Sequence, residues 1–281
     1  MNNTTAQNYM VLKVFNNNVL LVEDRGKEKI LYSKGIGFGK KTGDRIPVDV
    51  NIEKTYSIED KGNSNKFNQL LSYVDNELIG LCEEMIYMMS KELNEELDEK
   101  IHISLADHIA FALKRLKEND EISNPFLLET EILYKREFEI AKKAIGMLEK
   151  KTGVSIPDGE IGFITLHIHS ARQKGKLSNT VKYALVTNAV VEKIEKAFNI
   201  SVDRQSINYA RFVTHLRFAI ERIIKNNPIK NALLGTIRKE YPDSYRLAEE
   251  MCRFIEEQFI IKVVEDEVGY IALHIEKLRS E

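Results

Sequence analysis

A chain that superimposes on itself under one fixed shift must fold, over that stretch, as two copies of one unit. Shifting this chain by 107 residues aligns two separate blocks without a gap. In the first, SLADHIAFALKRLKEN (Ser104 to Asn119) lies over RFVTHLRFAIERIIKN (Arg211 to Asn226), so that His108 falls on His215 and Arg115 on Arg222. In the second, EIGFITLHI (Glu160 to Ile168) lies over EVGYIALHI (Glu267 to Ile275), pairing Glu160 with Glu267, Gly162 with Gly269 and His167 with His274. Between the blocks Tyr134 falls on Tyr241 and Ala141 on Ala248. Each copy therefore holds two histidines 59 residues apart.

Both copies read as helical. Leu105, Ile109, Ala112 and Leu116 recur at three- and four-residue steps, and Ile161, Ile164 and Ile168 form a second apolar stripe. At about 100° per residue, His108 lies at the margin of the first stripe and His167 beside Ile164. The pattern predicts two all-helical bundles over residues 67–173 and 179–281, joined by the polar, glycine-containing Gln173–Asn179.

The front of the chain follows another rule. YMVLKVF, VLLVED, EKILYS and KTYSIED are β-branched or aromatic runs of strand length, broken by NNN at Asn16–Asn18, by RGK at Arg25–Lys27 and by KGIGFGKKTGD. Residues 1–62 are expected to form a small antiparallel sheet of about four strands. So small a sheet needs something over its apolar face, and the expectation is that it dimerises. KGIGFGKK (Lys34 to Lys41) places lysines and Phe38 among glycines: cations for phosphates, close backbone approach, and a ring for stacking on a base. It is not a nucleotide-hydrolase phosphate loop, since the glycine spacing is short and Lys41 stands where Ser or Thr is needed. It is not a dinucleotide fingerprint either, since no helix follows. A solvated loop remains the alternative.

With 41 basic against 43 acidic residues, a net charge of −2 excludes bulk nucleic-acid binding and leaves only a local patch. Cys82 and Cys252 offer neither a disulfide framework nor zinc spacing. No basic-then-apolar leader and no membrane-length apolar run occur, so a cytoplasmic protein without membrane insertion is expected.

KVFNNNVLLV followed by KGIGFGKK resembles the co-antiterminator RNA-binding domain of the BglG/SacY/LicT antiterminators, and the two repeats resemble the phosphotransferase-system regulation domains that follow it there. IGFGKK, NPFLLET and EIGFITLHIHSA are most similar to the glucose-type branch of that family. The resemblance implies a homodimer that binds a hairpin in leader mRNA and so prevents terminator formation in a sugar-uptake operon. It puts Lys13, Asn16, Asn18, Ser33, Lys34 and Phe38 on the RNA side. Many relatives have glycine and arginine where this chain has Ser33 and Lys34; the charge is kept and the planar fork is lost. His108 and His167, with His215 and His274, fall on the family's phosphorylated histidines. The implied partners are a sugar permease, in the glucose-type branch the glucose permease, acting on the first repeat, and the carrier HPr acting on the second. No cofactor and no catalytic residue are implied; other proteins supply the catalysis.

Taken singly, a histidine beside an apolar stripe is most simply structural; four that superimpose under one shift argue for a shared role. His167 and His169 diverge by about 200° on a helix, so they make no metal site, and His102 and His169 are expected to be structural. Asp107 beside His108, against Thr214 beside His215, suggests that the first ring is oriented by its neighbour. Arg115 and Arg222 are read as solvated side chains or as partners for a phosphate or carboxylate across an interface. Two other functions stay open on residues alone, a phosphocarrier and a DNA-binding activator; the latter would want a helix-turn-helix where the chain shows strands.

Overall fold

The computed structural model describes residues 8–175 and 177–280. Residues 1–7 of the expected first domain, Lys176 of the expected linker and Glu281 lie outside the described residues. The chain forms two compact units, one of residues up to Asn124 with Arg136–Leu177, the other of Pro125–Lys135 with Ser178–Glu281.

The first unit opens with five strands: β1 (Asn8–Val14), β2 (Val19–Asp24), β3 (Lys27–Tyr32), β4 (Arg45–Pro47) and β5 (Lys54–Ser57). They make one antiparallel sheet in the order β4-β1-β2-β3-β5. The short β4, Arg-Ile-Pro, is the strand that residue pattern did not predict, since three residues carry no alternation. The apolar run Val19–Val22 is central and buried on both sides. Arg25 and Gly26 both take positive φ, as a two-residue hairpin between Asp24 and Lys27 requires. A bulge at Leu12 sets Val11 opposite Val22 but Lys13 opposite Leu21, turning the Lys13 side chain to the other face of the sheet.

Five helices complete the unit: α1 (Lys61–Leu70), α2 (Asn76–Leu93), α3 (Ile101–Lys117), and, after a seven-residue α4 (Leu127–Leu133) that belongs to the second unit, α5 (Lys135–Thr152) and α6 (Asp158–Arg172). α1 starts at Asp60, whose carboxylate accepts from the Asn63 N–H at 2.9 Å. One sheet face packs on this helical layer: Phe15 meets Phe67 edge-on, Tyr32 stacks on Tyr87, and Tyr56 lies against His102. The other face gathers Val11, Leu20, Val22, Leu31 and Ile46 beneath Tyr9, Val14, Ile36 and Ile52. Among the described residues, these apolar side chains of both faces are thus buried or partly buried within one chain.

The second unit adds α7 (Leu177–Phe198), α8 (Ile207–Ile224), α9 (Leu234–Glu240), α10 (Pro242–Phe259) and α11 (Glu265–Arg279) around Tyr209, Phe212, Met251, Ile255 and Ile275. The shift of 107 carries the bounds of α4, α5 and α6 onto those of α9, α10 and α11 residue for residue. α4 adds Ile132 and Leu133 to this core. Its buried Glu129 accepts from Tyr209 and, at 3.0 Å, from Arg204. The corresponding place in the first unit is a buried pair, His102 Nδ1 2.7 Å from Glu83. His102 corresponds to Tyr209 under the shift, but Glu83 corresponds to Val190. The second copy takes its carboxylate from the segment that precedes it.

Candidate nucleic-acid interface and histidine pairs

α3 and α6 cross so that His108 and His167 meet, their ring centroids 5.1 Å apart. Glu160, two helical turns before His167, reaches back to the first ring: its Oε2 is 2.8 Å from His108 Nε2, while its Oε1 accepts from Arg115 at 3.0 Å. Burial pushes the Glu160 carboxyl up, but the hydrogen bonds and charges of His108 and Arg115 outweigh it and leave it below the usual carboxylate range. A carboxylate at Nε2 holds that edge of the ring and turns Nδ1 away from it. His167 is 7% exposed, with Nδ1 3.1 Å from Ser104 Oγ.

The second unit repeats the crossing and changes the chemistry. His215 and His274 stack with centroids 4.3 Å apart. Glu267 no longer touches the histidine: Arg222 takes both its oxygens, at 2.9 and 2.7 Å, and the Ile229 N–H donates to it at 2.9 Å. Tyr270, where the first copy has Phe163, puts its hydroxyl 2.6 Å from His215 Nδ1. Glu160 thus engages Nε2 in one copy and Tyr270 engages Nδ1 in the other. Burial, then the charges of Lys277, Arg222 and Arg211, lower the His215 pKa.

Asp107, the residue expected to orient His108, points elsewhere and accepts from the Tyr73 hydroxyl at 2.8 Å. Adjacent residues on a helix diverge by about 100°, so the carboxylate that reaches the ring comes from α6. Arg115 and Arg222 likewise find their carboxylate inside their own copy, not as solvated surface groups. Glu160 and Glu267 are therefore the buried carboxylates beside the histidine pairs that the sequence reading passed over, although both align under the same shift as the histidines. His102 and His169 sit as structural residues against Glu83 and Glu137, at 2.7 and 2.8 Å.

Burial pushes the His167 pKa down to about 3 and the His274 pKa down to about 4, helped by the facing histidine in each case. A histidine held neutral in the fold binds a proton more readily when unfolded, so its stability contribution is complete above about 6.5 and is lost as the pH falls toward the folded value. The wild-type melting temperature is expected to drop between pH 6.5 and 4.5, and His167→Gln to flatten that slope. An unchanged slope in thermal melts across this window would remove His167 as its source.

The remaining candidate residues cluster around the Asn16–Asn18 turn between β1 and β2. Asn16 Oδ1 accepts from the Asn18 N–H at 2.8 Å and Asn18 Oδ1 from the Gly35 N–H at 2.9 Å, which ties the turn to KGIGFGKK. Gly37 donates to the Asn17 carbonyl at 2.9 Å, and a Cβ there would overlap the Asn16 carbonyl oxygen, so only glycine fits. The Lys34 N–H is held by Glu53 at 3.0 Å, and Ser33 Oγ donates to the Asn51 carbonyl at 3.3 Å. Phe38 is 76% exposed at the tip. Lys13 and both asparagines face the helical layer instead: Lys13 Nζ donates to the Leu71 carbonyl at 3.3 Å, and Asn16 and Asn18 both donate to Glu84.

The CAT RNA binding domain family matches residues 9–65, and the PRD domain family matches residues 83–171 and 188–278. The chain belongs to the PRD domain family. Its sheet and its two histidine-bearing repeats are the CAT RNA binding and PRD domains of that family. It is 40% identical to the PtsGHI operon antiterminator of Bacillus subtilis over 276 residues, 97% of this chain and 98% of that one. It is 35% identical to the transcription antiterminator LicT of the same organism, over 95% and 98% of the two chains. Protein GlcT of Staphylococcus saprophyticus is 34% identical over 95% and 96%. Among solved structures, that of GlcT CAT-PRDI is 46% identical and superimposes with a TM-score of 0.51, covering 59% of this chain and 98% of that one. No helix among the described residues of this PRD protein is long and apolar enough to cross a membrane.

Proposed function

We propose that this chain is a transcriptional antiterminator that binds a hairpin in the leader mRNA of a sugar-uptake operon and blocks the overlapping terminator, under control of histidine phosphorylation by the phosphotransferase system. The observation that carries this is the order of families along one chain, an RNA binding domain followed by two PRD domains, in a sequence related end to end to the PtsGHI operon antiterminator. The operon is that of the glucose system, and the protein works in the cytoplasm as a homodimer. Domains over 1–62, 67–173 and 179–281 divide the tasks. The sheet domain holds RNA with Lys13, Asn16, Asn18, Ser33, Lys34 and Phe38; the exposed Phe38 ring and the lysines of its loop suit stacking and phosphate contact. His108 and His167 accept phosphate from the glucose permease, His215 and His274 from HPr. In each pair a phosphate adds nearly two charges beside an arginine bound to a buried glutamate; it competes for the arginine and resets the helix crossing.

Binding of the full-length chain to a leader-transcript hairpin RNA and to DNA of the same sequence tests the reading. The RNA is expected to shift in a gel at a concentration at least tenfold below the DNA, roughly 1.4 kcal/mol in favour of RNA. Lys34→Ala should weaken the RNA complex and reduce its salt dependence. Equal or preferential binding of DNA would overturn it.

A further inference from the structure

Three of the side chains assigned above to RNA are engaged within the first unit by its own helices. The same oxygen of Glu84, Oε1, accepts from Asn16 Nδ2 at 2.8 Å and from Asn18 Nδ2 at 3.0 Å. The amide oxygens of both asparagines are committed to the turn and its glycine loop, so the amide nitrogens are what remains for a ligand, and both point at α2. One turn earlier on α2, Gly80 lies directly beneath Asn16; a Cβ there would stand 2.6 Å from Asn16 Cγ. The close approach leaves Asn16 7% exposed. Lys13 is drawn the same way, to the carbonyl of Leu71 at the end of α1.

We propose that Glu84 and Gly80 of α2 form an autoinhibitory latch, in which the Glu84 carboxylate occupies the acceptor position that RNA fills and must be displaced before the hairpin binds. An anionic carboxylate satisfies amide donors as a base carbonyl or phosphate oxygen does, and it repels the phosphates of an approaching strand. The helix thus withholds the two asparagines while Phe38 stays in solvent. The inference rests on the RNA-facing role proposed for Asn16 and Asn18.

Titrating the leader hairpin RNA with full-length wild type, Glu84→Ala, Gly80→Ala and Asn16→Ala separates the two. Glu84→Ala removes the acceptor, whereas Gly80→Ala favours the helix and displaces Asn16 by bulk, so the two variants open the latch by different routes. Each is expected to bind about tenfold more tightly than wild type, and Asn16→Ala more weakly, with far-UV circular dichroism matching wild type. Should Asn16→Ala weaken binding while both latch variants bind like wild type or worse, α2 positions the asparagines for RNA and the latch is wrong. Should Asn16→Ala bind like wild type, the RNA-facing assignment fails, and the latch with it.

Discussion

Glu160→Ala will destabilise the first unit by about 3–5 kcal/mol, because it strands a buried arginine. Arg115 is 7% exposed, and Glu160 is the carboxylate it pairs with. Removing the carboxylate leaves a guanidinium in a site that water does not reach, and also frees His108 Nε2. The matching change in the second unit, Glu267→Ala, is expected to cost less, since the Arg222 side chain is 26% exposed and solvent can replace part of the lost pair. Urea denaturation of the two variants side by side checks the ranking. Acidity offers a second view. The Glu160 carboxyl is held below its ordinary value, so its contribution is present above about pH 4.5 and lost as the pH falls through the folded value. Glu160→Gln should lose less stability than wild type on acidification below pH 4.5. Equal losses in wild type and variant would show that the pair does not govern acid unfolding.

His108→Ala will make antitermination independent of the sugar. If phosphate on the first repeat is what disables the protein, a side chain that cannot accept it leaves a reporter behind the terminator transcribed at its induced level in unfed cells. The geometry favours His108 over His167 as the acceptor that matters. Its side chain is 20% exposed, against 7% for the whole of His167, and Glu160 orients its ring through Nε2. A variant that remains inducible would move the switch to His167.

The repeat was legible because duplication preserves spacing. The bounds of α5 and α6 fall on those of α10 and α11, and both histidine pairs were readable from one shift. The carboxylates at the histidines were harder. Proximity in sequence pointed to Asp107, yet a helix sends adjacent side chains apart, and the crossing of α3 with α6 brings Glu160 from 52 residues away. That crossing is a tertiary fact with no local signature. The same holds for Arg115: two turns from His108 on one face, it reads as surface until another helix buries it. In the sheet, strand runs announced β1, β2, β3 and β5, but the three residues of β4 are placed by pairing with β1 and by the burial of Ile46. The covering of the sheet by α1 and α2 was invisible for a similar reason, since nothing in an amphipathic stripe says which apolar face it will meet.

The short helix α4 ties the two copies together. The second unit has Tyr209 where the first has His102 and valine where the first has Glu83, and its buried carboxylate comes from Glu129, in the segment that aligns with the first copy. The two copies are therefore not interchangeable. A mutation at Glu129 is inherited with one repeat and felt in the core of the other, so selection acts on the pair as a single gene product. Excising residues 179–281 as a module would leave behind the carboxylate that Tyr209 and Arg204 share.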